Sequence, residues 1–227
     1  MINVHPRALV TDGLDLVLAR ACLRCEVPGR VLCDACLARL RGRVRTTSSF
    51  GLPVHAALAY DAGGGDLVIA YKDHGNRALA PMLGTLLADA IDAAMRELSV
   101  PAAQLVPVPA RPWSERGFNA VAGIVRFAQR DLLARGIVVR TARPIRAQRR
   151  RSPMKSLSGQ ERRQQVGQLF RPARLRRPAA DLPVVIVDDV ITTGTTVEAM
   201  RSVLTAMGAD VAAAAAVTSV DRPAQPG

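Results

Sequence analysis

Val184-Val185-Ile186-Val187-Asp188-Asp189-Val190-Ile191-Thr192-Thr193-Gly194-Thr195-Thr196 is the stretch that decides how this chain is read. Its four leading branched apolar residues predict a strand buried on both faces, as in a parallel sheet. Two adjacent carboxylates stand where that strand is expected to end. Four threonines around one glycine follow, and a helical pattern then runs from Val197 to Met207. Strand, tight loop and helix start together make an anion site. The first N–H groups of a helix lack internal partners, and its dipole favours negative charge. Gly194 permits close backbone approach and the threonine hydroxyls add donors, so the loop suits a phosphate monoester. Asp188 and Asp189 cannot bind phosphate. Their natural partners are sugar hydroxyls, a metal ion or a developing positive charge. A phosphate beside a vicinal diol describes a ribose 5-phosphate. The plainer alternative is a buried strand before a capped helix, since Asp and Thr are common caps.

With 227 residues the chain has room for one α/β domain and a small appendage. Apolar residues make up 49% and aromatic residues only 3%, so the core must be built from Ala, Val and Leu. The net charge of +12 is almost wholly arginine, because Lys72 and Lys155 are the only lysines. Such a surface attracts polyanions, either nucleic acid or a substrate with several phosphates. No apolar run of membrane-spanning length stands out, and the N-terminus lacks a signal-peptide pattern, so membrane insertion is not expected and a cytoplasmic location is.

All four cysteines fall in one window, Cys22-x-x-Cys25 and Cys33-x-x-Cys36. Two such knuckles can present four thiolates tetrahedrally to zinc. Two disulfides are disfavoured in a cytoplasmic chain, and a redox motif does not require a duplicate knuckle. Four protein ligands close the site, making the zinc structural and a source of folding energy for a segment too small for its own core. Asp34 to Leu40 reads as a short helix, and polar, basic Gly42 to Ser49 as the module's boundary.

Farther along, His55 to Tyr60 reads as a strand, Leu67 to Asp73 as a helix stopping at Gly75, and Ala78 to about Leu98 as a longer one. Leu105-Val-Pro-Val-Pro109 reads as a strand whose prolines suit its carboxyl end, where loops build sites. A loop with Arg111, Arg116 and Gly117 comes next, then a helix from about Asn119 to Leu133. Arginine's fork binds two phosphate oxygens at once, though loop arginines are ordinary without a second signal.

The run Val184 to Thr196 resembles the signature of the type I phosphoribosyltransferases, which bind 5-phosphoribosyl-1-pyrophosphate (PRPP). The order of the other motifs resembles ComF-type proteins, relatives of the amidophosphoribosyltransferases. That order is zinc knuckles, Tyr71-Lys72-Asp73, Val-Pro-Val-Pro, Arg116-Gly-Phe-Asn119, Leu157-Ser-x-x-Glu161-Arg162, then Asp188-Asp189 and its threonine loop. The likeness spans residues 12 to 218. It implies a type I phosphoribosyltransferase fold, a five-stranded, mostly parallel sheet with helices on both faces, in residues 51–222. An N-terminal helix and zinc knuckle in residues 1–50 would form a hood beside the site. The resemblance gives Asp188 and Asp189 the ribose 2- and 3-hydroxyls, and Thr192, Thr193, Gly194, Thr195 and Thr196 the 5-phosphate. Arg111, Arg116 and the backbone near Gly117 would take the pyrophosphate. Lys72 would reach a phosphate or the leaving group, unless it is a solvated helix charge. Mg2+ would accompany PRPP.

Arg143 to Arg177 holds eleven arginines, a composition that implies mobility and solvation. In the type I enzymes the corresponding segment is a lid that closes over PRPP. The family often has Gln before the leucine of this motif and Asn three residues after its arginine; this chain has Met154-Lys155 and Gln165. Three readings follow. The first is a phosphoribosyltransferase acting on an unidentified nitrogen acceptor, or a PRPP pyrophosphohydrolase. The second is a PRPP-binding sensor with little or no turnover, and the third a factor handling single-stranded DNA or competence proteins during DNA uptake. Few aromatic residues are available as base-stacking platforms, which weakens the third.

Overall fold

The computed structural model describes residues 21–110, 119–148, 169–173 and 178–220. The chain divides into two compact units between Leu40 and Arg41. In the first unit the backbone turns at Cys22–Val27, where the Cys22 N–H donates to Val27 O and that of Glu26 to Cys22 O. Helix α1, Asp34–Leu40, follows with Asp34 in its first turn and Arg39 in its last, each complementing the helix dipole.

The second unit is a six-stranded sheet in the order β1-β2-β8-β7-β3-β4. Its strands are β1 (Arg45–Ser49), β2 (Leu52–Ala59), β3 (Ala102–Pro107), β4 (Val138–Thr141), β7 (Val184–Ile191) and β8 (Val211–Ser219). Five strands run parallel, and β1 is an antiparallel edge paired to β2. The sheet thus has one strand more than expected. Residues 41–50 belong with the sheet unit, because Arg45 to Ser49 form a hairpin with Leu52 to Ala56. The short β5 (Ile145–Ala147) and β6 (Phe170–Pro172) make a separate antiparallel ribbon.

Helices α2 (Gly65–Lys72), α3 (Ala80–Glu97), α4 (Ala120–Ala134) and α5 (Thr195–Ala206) lie close to their sequence-predicted positions. Val184, Val185, Ile186 and Val187 are fully buried, as a central strand covered on both faces requires. Val184 and Ile186 join Val54, Val106, Val197, Met200 and Leu204 in the core beneath α5. Alternation turns Val185 and Val187 to the opposite face. The run Ala213 to Ala216 in β8 is fully buried, and these small side chains let helices approach closely on both sides.

Residues Arg77–Glu97, α3 and the turn before it, reach a mean hydropathy of 1.4 and are long enough to cross a membrane by length and composition. The sequence pattern alone does not single out this run. Their apolarity is that of a core helix, for Leu83, Leu86, Leu87, Ala90 and Ile91 are all fully buried. A polar latch joins α3 to α4. Thr85 donates to Asp131 at 2.8 Å, and Arg135 pairs with Asp89 at 2.8 Å and with Asp131. Arg41 adds two more bonds to Asp89, at 2.9 and 3.0 Å.

The helices meet most closely at Gly84, where an added Cβ would stand 2.4 Å from Phe127 Cβ and 3.0 Å from the Ala128 nitrogen. Backbone on one side and a side-chain root on the other leave little room to yield. Gly84→Ala is expected to cost about 1–3 kcal/mol by overpacking, read as a lower urea midpoint at unchanged slope. An unchanged midpoint would show that the two helices can separate freely.

Candidate functional site

Strand β7 leaves the sheet toward β8 through α5, whereas β3 leaves toward β4 through α4. Adjacent strands whose connections depart in opposite directions open a crevice at their carboxyl ends, and ligands of open α/β sheets bind there. Pro107 of β3 stands beside Val187 of β7, and the Val108 N–H donates to Val187 O at 2.9 Å. The next two residues on β7 are Asp188 and Asp189. Both lie inside the strand rather than at its end, since β7 continues to Ile191 and Asp188 is in register with Ala216.

The two carboxylates differ sharply. Asp189 is only 1% exposed, and its Oδ1 accepts from Lys72 Nζ at 2.6 Å. Its buried Oδ2 has no hydrogen-bond partner. Asp188 is half-buried, and its Oδ1 accepts from the Asp189 N–H at 2.9 Å. Loss of hydration, then the charge of Asp189, push the Asp188 carboxyl well above the ordinary aspartate range, while the Asp189 N–H and Lys72 pull it down. Lys72 closes α2, and the helix is pinned one residue earlier by buried Tyr71, whose hydroxyl donates to Ala120 O at 3.1 Å.

Past Ile191 the chain forms the loop Thr192–Gly194 and enters α5 at Thr195. Gly194 sits at the N-cap with φ +70°, a left-handed conformation that favours glycine. A Cβ there would also fall 1.7 Å from Ser49 Oγ. Gly194 has no side chain to cap the helix, so apart from the Thr195 N–H, which meets Thr193 Oγ1, the N–H groups of the first turn can face an anion. Thr193 Oγ1 lies 2.7 Å from Thr195 Oγ1 and accepts from the Thr195 N–H at 3.3 Å.

Sequence reasoning missed the β1–β2 hairpin tip that abuts this loop. Ser49 and Phe50 come close to Gly194, and Phe50 is exposed with φ +52°, strained for a bulky residue. Nothing in a short polar segment signals such a contact. Arg111, Arg116, Gly117, Lys155 and Gln165 lie outside the described residues, as does most of the arginine-rich segment.

In the first unit, Cys22, Cys25, Cys33 and Cys36 bring their sulfurs within 4.8 Å of one another, and none is in a disulfide. Metal–sulfur bonds of about 2.3 Å in a tetrahedron separate the sulfurs by roughly 3.8 Å. Cys25 and Cys33 Sγ are 3.6 Å apart. The N–H groups of Cys33 and Cys36 donate to the sulfurs of Cys22 and Cys33 at 3.4 Å, the outer support a thiolate site requires. Four converging thiols can therefore hold one metal ion.

No family model and no curated protein matches the chain. Among solved structures it is similar to an adenine phosphoribosyltransferase, with 18% identity over 82% of this chain and 89% of that one, at a TM-score of 0.39. It is also similar to the adenine phosphoribosyltransferase of Saccharomyces cerevisiae, with 18% identity over 82% and 88% at 0.37. A third is the hypoxanthine-guanine phosphoribosyltransferase of Schistosoma mansoni, with 17% identity over 66% and 60% at 0.35. These likenesses are distant.

The raised carboxyl of Asp188 has a consequence for stability. Its folded form holds a proton more tightly than the unfolded chain does. That contribution is complete below the ordinary aspartate range and is lost as pH rises through the raised value. Asp188→Asn should therefore melt above the parent at about pH 8, with the gap closing toward about pH 4. Parallel melting curves across that range would show that Asp188 ionises freely.

Proposed function

We propose that the carboxyl edge of β7 binds PRPP and that the chain is a ComF-like phosphoribosyltransferase. The supporting observation is the conjunction on one strand, loop and helix of Asp188 and Asp189 with an uncapped helix N-terminus ringed by threonines. Thr192 to Thr196 would hold the 5-phosphate through backbone N–H and hydroxyl donors. Asp188 and Asp189 would take the ribose 2- and 3-hydroxyls. The unpartnered Asp189 Oδ2 suits that role, because a buried carboxylate oxygen needs a donor. Arg111, Arg116 and the Gly117 backbone would contact the pyrophosphate.

The site's donor set also fits Mg2+. Hard carboxylate oxygens at Asp188 and Asp189 can meet a hydrated cation, which would neutralise pyrophosphate charge when bound. In the reaction the bond from C1 to the pyrophosphate oxygen breaks and pyrophosphate leaves with the electron pair. A C1–N bond forms, and the nitrogen releases a proton. Asp188 and Asp189 orient the ribose and oppose the positive charge that develops on its ring. Lys72 holds the Asp189 carboxylate in place through its 2.6 Å contact. The four cysteines would hold Zn2+, and the protein would work in the cytoplasm.

One observation favours a second reading. Lys155 and Gln165 replace polar residues common in the family's lid, which suits a PRPP-binding sensor without turnover. The association with DNA uptake rests on the ComF resemblance and the +12 charge.

Incubation with PRPP, Mg2+ and a panel of bases and amines, with pyrophosphate release as readout, separates the readings. Turnover is expected, and it should fall by about 100-fold or more in Asp188→Asn with Asp189→Asn, since hydrogen bonds to charged groups contribute about 1.5–3 kcal/mol each. PRPP binding without turnover would leave the sensor, and no binding would remove both.

Freshly purified protein should carry one zinc per chain, lost in Cys25→Ser with Cys33→Ser. Metal content well below one would overturn the zinc assignment.

A further inference from the structure

In the sheet, β2 is separated from β7 by β8, yet the tip of the β1–β2 hairpin meets the loop that follows β7. Ser49 pairs with Leu52, so Phe50 and Gly51 alone make the turn. Both have positive φ, +52° and +73°. This is the pattern of a type I′ turn, whose first position favours Asn, Asp or Gly. Phe50 is a bulky residue there, and it is 58% exposed. It is also one of only four phenylalanines in the chain. Backbone strain and an exposed ring both count against stability.

The tip is nonetheless held in a fixed place. Strands β1 and β2 pair over five residues, and Leu52 and Val54 are buried with Val184 and Ile186 of β7 and Val197 of α5. That packing carries the tip to the start of α5. Ser49 Oγ fills the space beside Gly194, 1.7 Å from where a Cβ would stand, and Phe50 Cδ2 lies 3.7 Å from the same point. Ser49 Oγ has no hydrogen-bond partner among the described residues. A free hydroxyl thus joins those of Thr193 and Thr195 around one glycine. The demand for a ligand at this edge comes separately from Asp189, 1% exposed with its Oδ2 unpartnered.

We propose that the hairpin tip is the outer wall of the phosphate pocket. Ser49 Oγ donates a hydrogen bond to a phosphate oxygen, and the Phe50 ring covers the same side from water. Excluding water lowers the local dielectric and strengthens the donors around the anion. The strained turn is what sets the ring over the loop. This assignment rests on the PRPP reading and adds to it two binding residues from outside the strand, loop and helix of β7 and α5.

The test titrates the full chain calorimetrically with ribose 5-phosphate and with 2-deoxyribose 5-phosphate. Ser49→Ala and Ser49→Cys should each weaken both sugars about tenfold, the worth of one hydrogen bond to a charged group. The factor should be equal for the two, because Ser49 meets the phosphate and not the 2-hydroxyl. Cysteine keeps the side chain's size, so a loss in both variants cannot be ascribed to a void. Phe50→Asn should bind both sugars about threefold or more weakly yet melt above the parent, since Asn accepts a positive φ. Opposite signs separate a ligand wall from a merely structural turn. A parent that binds the sugar phosphates, with Ser49 variants that bind them equally well, would overturn the hairpin assignment and leave the PRPP reading standing. So would Phe50→Asn with a higher Tm and unchanged affinity. A parent that binds neither sugar phosphate would overturn both.

Discussion

A carboxylate buried in the middle of a parallel sheet must be matched, and the Lys72–Asp189 pair is how this chain meets that constraint. The pair spans 117 positions of sequence. It ties the end of α2 to the central strand, and Tyr71 ties the same turn to the start of α4. Three connections that leave the sheet in different directions are therefore fixed around one crevice. The match is incomplete, since Asp189 Oδ2 remains buried without a partner and Asp188 resists ionisation beside it. A fold selected for stability alone would have apolar residues there. An incompletely matched pair of carboxylates in a crevice is what marks this as the candidate site.

The same logic separates the two basic regions of the surface. Arginines over α3 and α4 are answered by Asp89, Asp92 and Asp131, and they fasten helices together. Arginines on the β5–β6 ribbon are answered by nothing among the described residues. Net charge does not distinguish these cases, whereas pairing does. The first set is structural, and the second is exposed.

Much of the architecture was legible because periodicity and local chemistry agree. Branched residues from Val184 to Val187 cannot form an amphipathic surface, so a strand covered on both faces was the consistent reading. Asn119 announced a helix start and caps one. Strand β1 was not legible, because Arg45-Thr-Thr-Ser-Ser49 is an exposed edge with no apolar alternation to reveal it. The sequence puts the carboxylates where the strand ends; in the structure the β3 ladder stops at Val187, and pairing with β8 alone carries β7 on to Ile191. Composition alone marked residues 143–177 as solvated, yet Ile145 and Phe170 pin the ends of that segment into the core. The approach of Ser49 to Gly194 is a tertiary contact that no local pattern encodes.

The central claim is that β7 and its loop hold a ribose 5-phosphate through both the phosphate and the vicinal hydroxyls. Calorimetric titration with ribose 5-phosphate and with 2-deoxyribose 5-phosphate tests it most directly. The ribose compound should bind about tenfold or more tightly, the worth of one hydrogen bond to a carboxylate. Equal affinity for the two sugars, or for inorganic phosphate alone, would contradict it.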